Sequence, residues 1–322
     1  MTGKYNLIVR NKFVKYELEV KRKYTILRGD TAKGKTYLAE ILFRKAGTEV
    51  ICKANIQYIP GDLWRDLFST VSGRIFILDE DTDGLGSDEF AKAMSESDNY
   101  FILITRESMP NIPYSISEIY TLSSVEKFNN LNKKYTETVF SSIYDKVIVE
   151  GVPDIVITED TNFGNKFFKE VFKDSIVYPD SNADVKELWS GGKSTVIKKL
   201  DRLKKDGVLK GKKVFVIVDG AAFGSDIGDV YNFVKANNFD VTVFLPESFE
   251  YLLLKVLNRF KDELLETWNY ADSKVFDSWE QYYTSLIEGM NVLRFQKYKK
   301  EEFNPYYLRY SEEVIKMLGK EG

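Results

Sequence analysis

Residues 25–38 read Thr25-Ile-Leu-Arg-Gly-Asp-Thr-Ala-Lys-Gly-Lys-Thr-Tyr-Leu38, and the first half of the chain is organised around them. Within this stretch Gly29, Asp30, Thr31, Ala32, Lys33, Gly34, Lys35 and Thr36 fit the phosphate-loop pattern G-x-x-x-x-G-K-[ST] without a mismatch. The flanks agree with it. Residues 24–27 read as a short buried strand, and residues 35–44 place Leu38, Ile41 and Leu42 on one helical face. A strand, a glycine turn and a helix N-terminus aim several backbone N–H groups at one spot, and the helix dipole favours an anion there. Lys35 would reach the β- and γ-phosphates of a bound triphosphate, the Thr36 hydroxyl would sit on Mg2+, and Tyr37 would complete the nucleotide-binding set.

Composition narrows the chemistry. A chain of 322 residues with 43% hydrophobic and 30% charged side chains has the length for two domains with cores of their own. The net charge of −3 advertises no global basic field for nucleic acid, which leaves room for a local basic groove. The single cysteine, Cys52, cannot form an intrachain disulfide and suits a reducing, cytoplasmic setting. No run of about 18 apolar residues is present, so no membrane partner is expected. There is no histidine. Catalysis must therefore use carboxylates, lysine, arginine, hydroxyls and hard metal ions, an inventory that phosphate chemistry with Mg2+ fits best.

Around the loop the first half reads as an α/β sheet domain over residues 1–125. Residues 5–9 and 13–20 predict a β-hairpin, 48–60 one or two short strands, and 61–71 a short helix. Residues 74–81, Arg-Ile-Phe-Ile-Leu-Asp-Glu-Asp, are an apolar strand ending in acids. This is the Walker B pattern, in which Asp79 would orient the Mg2+ shell and Glu80 would polarise the attacking water. Residues 99–106 give a further buried strand, with Thr105 a candidate γ-phosphate sensor and Arg106 a phosphate or subunit-interface contact. Residues 117–122 are expected to close the sheet. On these motifs the first half resembles the P-loop ATPases of the additional-strand group, the ABC/AAA-like ones in particular, and the resemblance implies ATP and Mg2+ as cofactors. Between the loop and Asp79 there is no L-S-G-G-Q-like signature, so slow or switched hydrolysis is expected and not a motor.

Residues 126–145 are Asn/Lys-rich and predict a linker. A second α/β pattern fills 146–254: strand 154–158 ending in Glu159 and Asp160, a helix over 166–172, strand 175–178, a glycine turn at Gly191 and Gly192, and a helix with Val196, Leu200 and Leu203 aligned. Strand 213–218 follows, ending in Asp219, then a helix, strand 240–245, and Glu250. Residues 255–322 predict a helical, aromatic-rich C-terminal segment, a helical cap or oligomer contact in preference to a stacking platform for single strands. Residues 198–213 hold eight basic side chains against two acidic ones, a solvated helix face or a track for a nucleic-acid backbone.

The order of these elements resembles the TOPRIM domain of topoisomerases, primases and OLD-family nucleases. The fold class expected is thus a P-loop NTPase domain followed by a TOPRIM/Rossmann-like parallel-sheet domain and a helical tail. The resemblance assigns Glu159 and Asp219 to catalysis and metal binding, with Gly224 matching the family glycine. It departs at Ala221, where the second aspartate of D-x-D-x-x-G should stand. Asp226, Asp229 or Glu250 could supply the missing carboxylate. An ATPase–TOPRIM pair is the layout of OLD-like nucleases and related anti-phage systems, and implies an ATP-binding, Mg2+-dependent nuclease, or the sensor of one, acting on DNA or RNA. The alternative is a nucleotide-dependent scaffold whose second domain has lost its metal and binds a protein partner or a second copy. A small-molecule kinase using the same loop is a third option.

Overall fold

The computed structural model describes residues 1–28, 35–44, 47–128, 134–142 and 150–318. The chain is a mixed α/β protein that divides into two compact units, Met1–Tyr144 with Glu266–Ser278, and Asp145–Leu265 with Trp279–Gly322.

The first unit is built on one sheet. Its strands are β1 (Tyr5–Arg10), β2 (Val14–Val20), β3 (Tyr24–Arg28), β4 (Glu49–Ile51), β5 (Asn55–Tyr58), β6 (Arg74–Leu78), β7 (Tyr100–Ile104), β8 (Ile119–Phe128) and β9 (Lys134–Ser142). Among the described residues they lie in the order β4-β1-β2-β9-β8-β3-β7-β6-β5. The hairpin β1–β2 follows from alternation: Val14, Tyr16, Leu18 and Val20 are buried while Glu17 and Glu19 are exposed. Its turn is held by Asn11, whose Oδ1 accepts from the N–H groups of Phe13 and Val14. From β8 to β5 every neighbouring pair is parallel, and β3, β6 and β7 are mostly apolar and buried on both faces, with only Arg28 and Arg74 at strand ends half-buried. Helix α1 (Lys35–Arg44) presents Leu38, Ile41 and Leu42 to this core, as its periodicity predicts. Helices α2 (Trp64–Thr70) and α3 (Asp88–Ser95) bury Trp64, Phe68 and Phe90 in one ring cluster, in which Phe68 touches Phe76 of β6 and Phe101 of β7 and Phe90 packs on Trp64 and Phe68.

Two expectations are corrected here. Residues 117–122 do not close the sheet: β8 lies inside it, parallel to β3 and antiparallel to β9. Residues 126–145 are not simply a linker, because they contain the end of β8 and the whole of β9.

The second unit holds a four-stranded parallel sheet in the order β11-β10-β12-β13, from β10 (Ile155–Thr158), β11 (Ile176–Tyr178), β12 (Lys213–Ile217) and β13 (Asp240–Phe244). Around it run α4 (Phe163–Val171), α5 (Lys186–Trp189), α6 (Lys193–Lys205), α7 (Ile227–Asn237) and α8 (Phe249–Val256), followed by α9 (Lys261–Leu265), α10 (Trp279–Glu288) and α11 (Ser311–Leu318). Helix α6 buries Val196, Leu200 and Leu203, the face its sequence predicts. The chain leaves β10 toward β11 on one side and resumes with β12 on the other, so the crevice beyond the carboxyl ends of β10 and β12 is the topological switch point, where open parallel sheets take their ligands. The C-terminal segment is only partly as expected: Glu266–Ser278 belongs to the first unit, and the remainder packs aromatic rings into the second, with Tyr282, Tyr283 and Tyr307 buried. Among the described residues no helix is long and apolar enough to cross a membrane.

Candidate functional site

In the first unit the carboxyl ends of β3, β7 and β6 lie side by side. Leu27 pairs with Ile104, and Leu78 with Leu103. β3, which ends just before Gly29, and β6, which ends just before Asp79, are therefore separated by one strand, β7, which ends just before Thr105. Gly29, Asp30, Thr31, Ala32, Lys33 and Gly34 lie outside the described residues; Lys35 and Thr36 open α1, and their side chains lie outside them too. Asp79 is 8% exposed, and its Oδ1 accepts from Tyr58 Oη at 2.9 Å and from the Asp81 N–H at 3.0 Å. Burial pushes its carboxyl pKa up, against these two hydrogen bonds. Thr105 is buried, its N–H bonded to Leu27 O at 3.2 Å and its hydroxyl accepting from the Glu107 N–H. Glu80 is exposed, 3.6 Å from Arg106 Nε. Tyr37 is on α1, and its hydroxyl accepts from Asn11 Nδ2. Beside it a cavity of about 540 Å3 is lined by Lys12, Phe13, Tyr37, Glu40 and Ile41, with Phe13 59% exposed.

In the second unit the switch point collects acids. Glu159 and Asp160 follow β10, Asp219 follows β12, and Glu250 sits in the first turn of α8. Each is positioned by a local device. Asp160 caps α4, accepting from the N–H groups of Asn162 and Asn165 at 3.2 and 3.1 Å. Glu159 is fixed by its carbonyl, which accepts from the Gly192 N–H at 2.7 Å, and its Oε2 accepts from the Asp219 N–H at 3.3 Å. Gly191 permits this approach: a Cβ there would stand 3.0 Å from Thr161 Cγ2 and 3.4 Å from Glu159 O. Asp219 Oδ1 accepts from the Phe249 N–H at 2.9 Å, joining Ser248 in capping α8. Glu250 is 2% exposed; its Oε1 accepts from Tyr298 Oη at 2.7 Å, while its Oε2 is buried without a hydrogen-bond partner.

Glu159, Asp160, Asp219 and Glu250 line a common cavity of about 30 Å3, room for a water molecule or an ion of similar size. Lys300 lines it too, its ammonium 2.6 Å from Glu280 Oε1. Crowded acids in an apolar wall resist ionisation. Burial, then the charge of Glu280, pushes the Glu159 pKa up to about 8. Asp219 is raised well above the carboxylate range by burial and by Glu280, Glu250 and Glu159, and Glu250 is raised by burial despite Lys300. Burial pulls the Lys300 ammonium down, but Glu250 and Glu280 outweigh it and the net shift is upward. On α6, burial lowers Lys199 to about 8 although Glu159 opposes it.

The cavity's carboxylate oxygens are the donor type a hard divalent ion takes, and Glu250 Oε2 is a buried oxygen without a hydrogen-bond partner. They are not already drawn together around one: among the described residues no three acidic side chains are grouped closely enough to hold a metal. Ala221 is buried, its N–H bonded to Glu247 O. Asp226 sits at the start of α7, hydrogen-bonded to the Ser225 hydroxyl, and does not line the cavity; Asp229 is exposed. The sequence reading missed Glu280 and Lys300, which no strand pattern flags because they arrive from α10 and the segment after it. Of the basic run 198–213, Lys199 is buried, Arg202 pairs with Asp206 and Lys212 with Asp154. Compared with known protein families and with curated protein sequences, the chain matches none.

Proposed function

We propose that this chain is an ATP-binding, Mg2+-dependent nuclease, or the nucleotide-sensing component of one, with an ATPase as its first unit and a TOPRIM-like second unit, suited to phage defence. The observation that carries the reading is the convergence of Glu159, Asp219 and Glu250 on one small cavity at the switch point of a parallel sheet, with one Glu250 oxygen unpaired. A divalent cation bound there would act as Lewis acid on a phosphodiester and lower the pKa of a coordinated water. Glu159, Asp219 and Glu250 would hold it. The Asp219 backbone N–H orients Glu159, and the N-terminus of α8 orients Asp219.

In the first unit the reading rests on the loop sequence and on the side-by-side ends of β3, β7 and β6. Lys35 and Thr36 would meet the triphosphate and its Mg2+, Asp79 would orient the metal's waters, and Thr105 and Arg106 would register the γ-phosphate. The faces of Phe13 and Tyr37 beside the 540 Å3 cavity would take the base. A second reading, a nucleotide-dependent switch whose rear site is not catalytic, is favoured by Ala221 and by the Lys300–Glu280 ion pair.

Cleavage of plasmid DNA and of RNA with Mg2+ or Mn2+ decides between them. The nuclease reading expects cleavage that Glu159→Gln and Asp219→Asn each reduce about a hundredfold or more. Cleavage unaffected by both substitutions excludes this site. No cleavage of any substrate, with ATP present, favours the switch.

A further inference from the structure

Lys300 brings a positive charge into the cavity at which a divalent ion is placed above. Its backbone is pinned on both sides: its N–H donates to Glu288 Oε1 at 3.2 Å, and its carbonyl accepts from the Phe163 N–H at 3.2 Å. The side chain reaches in beside Asp219 and Glu250 and ends on Glu280. It does not satisfy Glu250, whose Oε2 stays unpaired. An ammonium carries three donors, so a lysine placed there only to neutralise the acids would be expected to use one on that oxygen. The 30 Å3 of free space lies beside the side chain of Lys300, so a divalent ion entering it would stand next to a like charge, and like charges repel strongly where little water screens them. The side chain is 30% exposed, which gives it a way out to solvent.

We propose that Lys300 is a tethered counter-cation that lines the acidic cavity in the ion-free protein and is driven out toward solvent by charge repulsion when a divalent ion enters. This rests on the cation-site reading given under Proposed function and adds to it an exchange. The lysine offsets the mutual repulsion of Asp219, Glu250 and Glu280 while no ion is present, and it sets the affinity low enough that the site fills only at high ion concentration. The Glu280 carboxylate is the counter-charge that holds the ammonium in place.

The exchange is tested on the full-length chain by titrating Mn2+ calorimetrically into the wild type, Lys300→Met and Lys300→Arg. Methionine keeps an unbranched stem and removes the charge, so Lys300→Met should bind Mn2+ at least tenfold more tightly than the wild type. Lys300→Arg should bind no more tightly than the wild type. Equal or weaker binding by a folded Lys300→Met overturns the exchange and leaves the cation site standing. Absence of Mn2+ binding by both wild type and Lys300→Met overturns the cation site and the exchange with it. If Lys300→Met does not fold, the wild type decides: saturating Mn2+ should increase acetylation of Lys300 by an amine-reactive reagent, read by mass spectrometry. Unchanged or reduced labelling overturns the exchange.

Discussion

Glu159 carries a pKa of about 8 because burial and the Glu280 charge disfavour its anion. An unfolded glutamate titrates near 4.3. Between about pH 4.3 and about pH 8 the folded chain therefore keeps a proton that the unfolded chain has released, and stability falls as pH rises through that window. Asp160, Asp219 and Glu250 are raised too and act in the same direction. Lys199, lowered to about 8, acts above that point: from about pH 8 to about 10.4 the unfolded chain holds the extra proton, and stability recovers. Thermal unfolding of the second unit followed against pH should thus pass through a minimum near pH 8. Glu159→Gln should make the lower limb shallower, and Lys199→Met should flatten the upper one. A midpoint that climbs steadily from pH 5 to pH 8 would contradict the assignment. Mn2+ should stabilise most near the minimum, where the carboxylates are ready to ionise.

The elements that aim these side chains are helix N-termini. Ser248 and Asp219 share the capping of α8, so the two substitutions separate cap from site. Ser248→Ala should cost about 1 kcal/mol of stability in denaturant unfolding while leaving Mn2+ affinity intact. Asp219→Asn should lose Mn2+ affinity. Gly191→Ala should destabilise by about 1–3 kcal/mol, since its Cβ would push on Thr161 and the Glu159 carbonyl. How much of this is legible in the sequence differs by element. β10 and β12 are apolar runs ending in acids, and such runs read directly as buried parallel strands with ligands at their ends. β9 reads as a linker because of its Lys, Thr, Glu and Ser residues, although the β-branched and aromatic content of 134–142 is that of a strand. The Glu280–Lys300 pair was not legible at all, because ion pairs between distant segments leave no periodic trace.

At the scale of the whole molecule the chain visits the first unit twice, and Lys23 is one of the residues that hold the second visit. Lys23 is 4% exposed and its ammonium donates to Ser95 O, Ser273 O and Asp277 Oδ1 at 2.6, 2.7 and 2.7 Å. Removing one member of a buried charged network costs roughly 3–5 kcal/mol, so Lys23→Met should lower the first unit's stability by about that amount and open Glu266–Ser278 to limited proteolysis. No sequence pattern singles out Lys23, since its partners lie up to 254 positions away. Nucleotide binding belongs to this scale as well. ATP at a hundredfold excess over its Kd should stabilise the chain by about 2.7 kcal/mol, and Lys35→Ala should abolish that shift. The central claim, a divalent ion among Glu159, Asp219 and Glu250, is tested most directly by anomalous diffraction from crystals soaked in Mn2+. A peak within about 2.5 Å of carboxylate oxygens of these three residues is the predicted result. No peak in that cavity at saturating Mn2+, or a peak held elsewhere in the second unit, would contradict it.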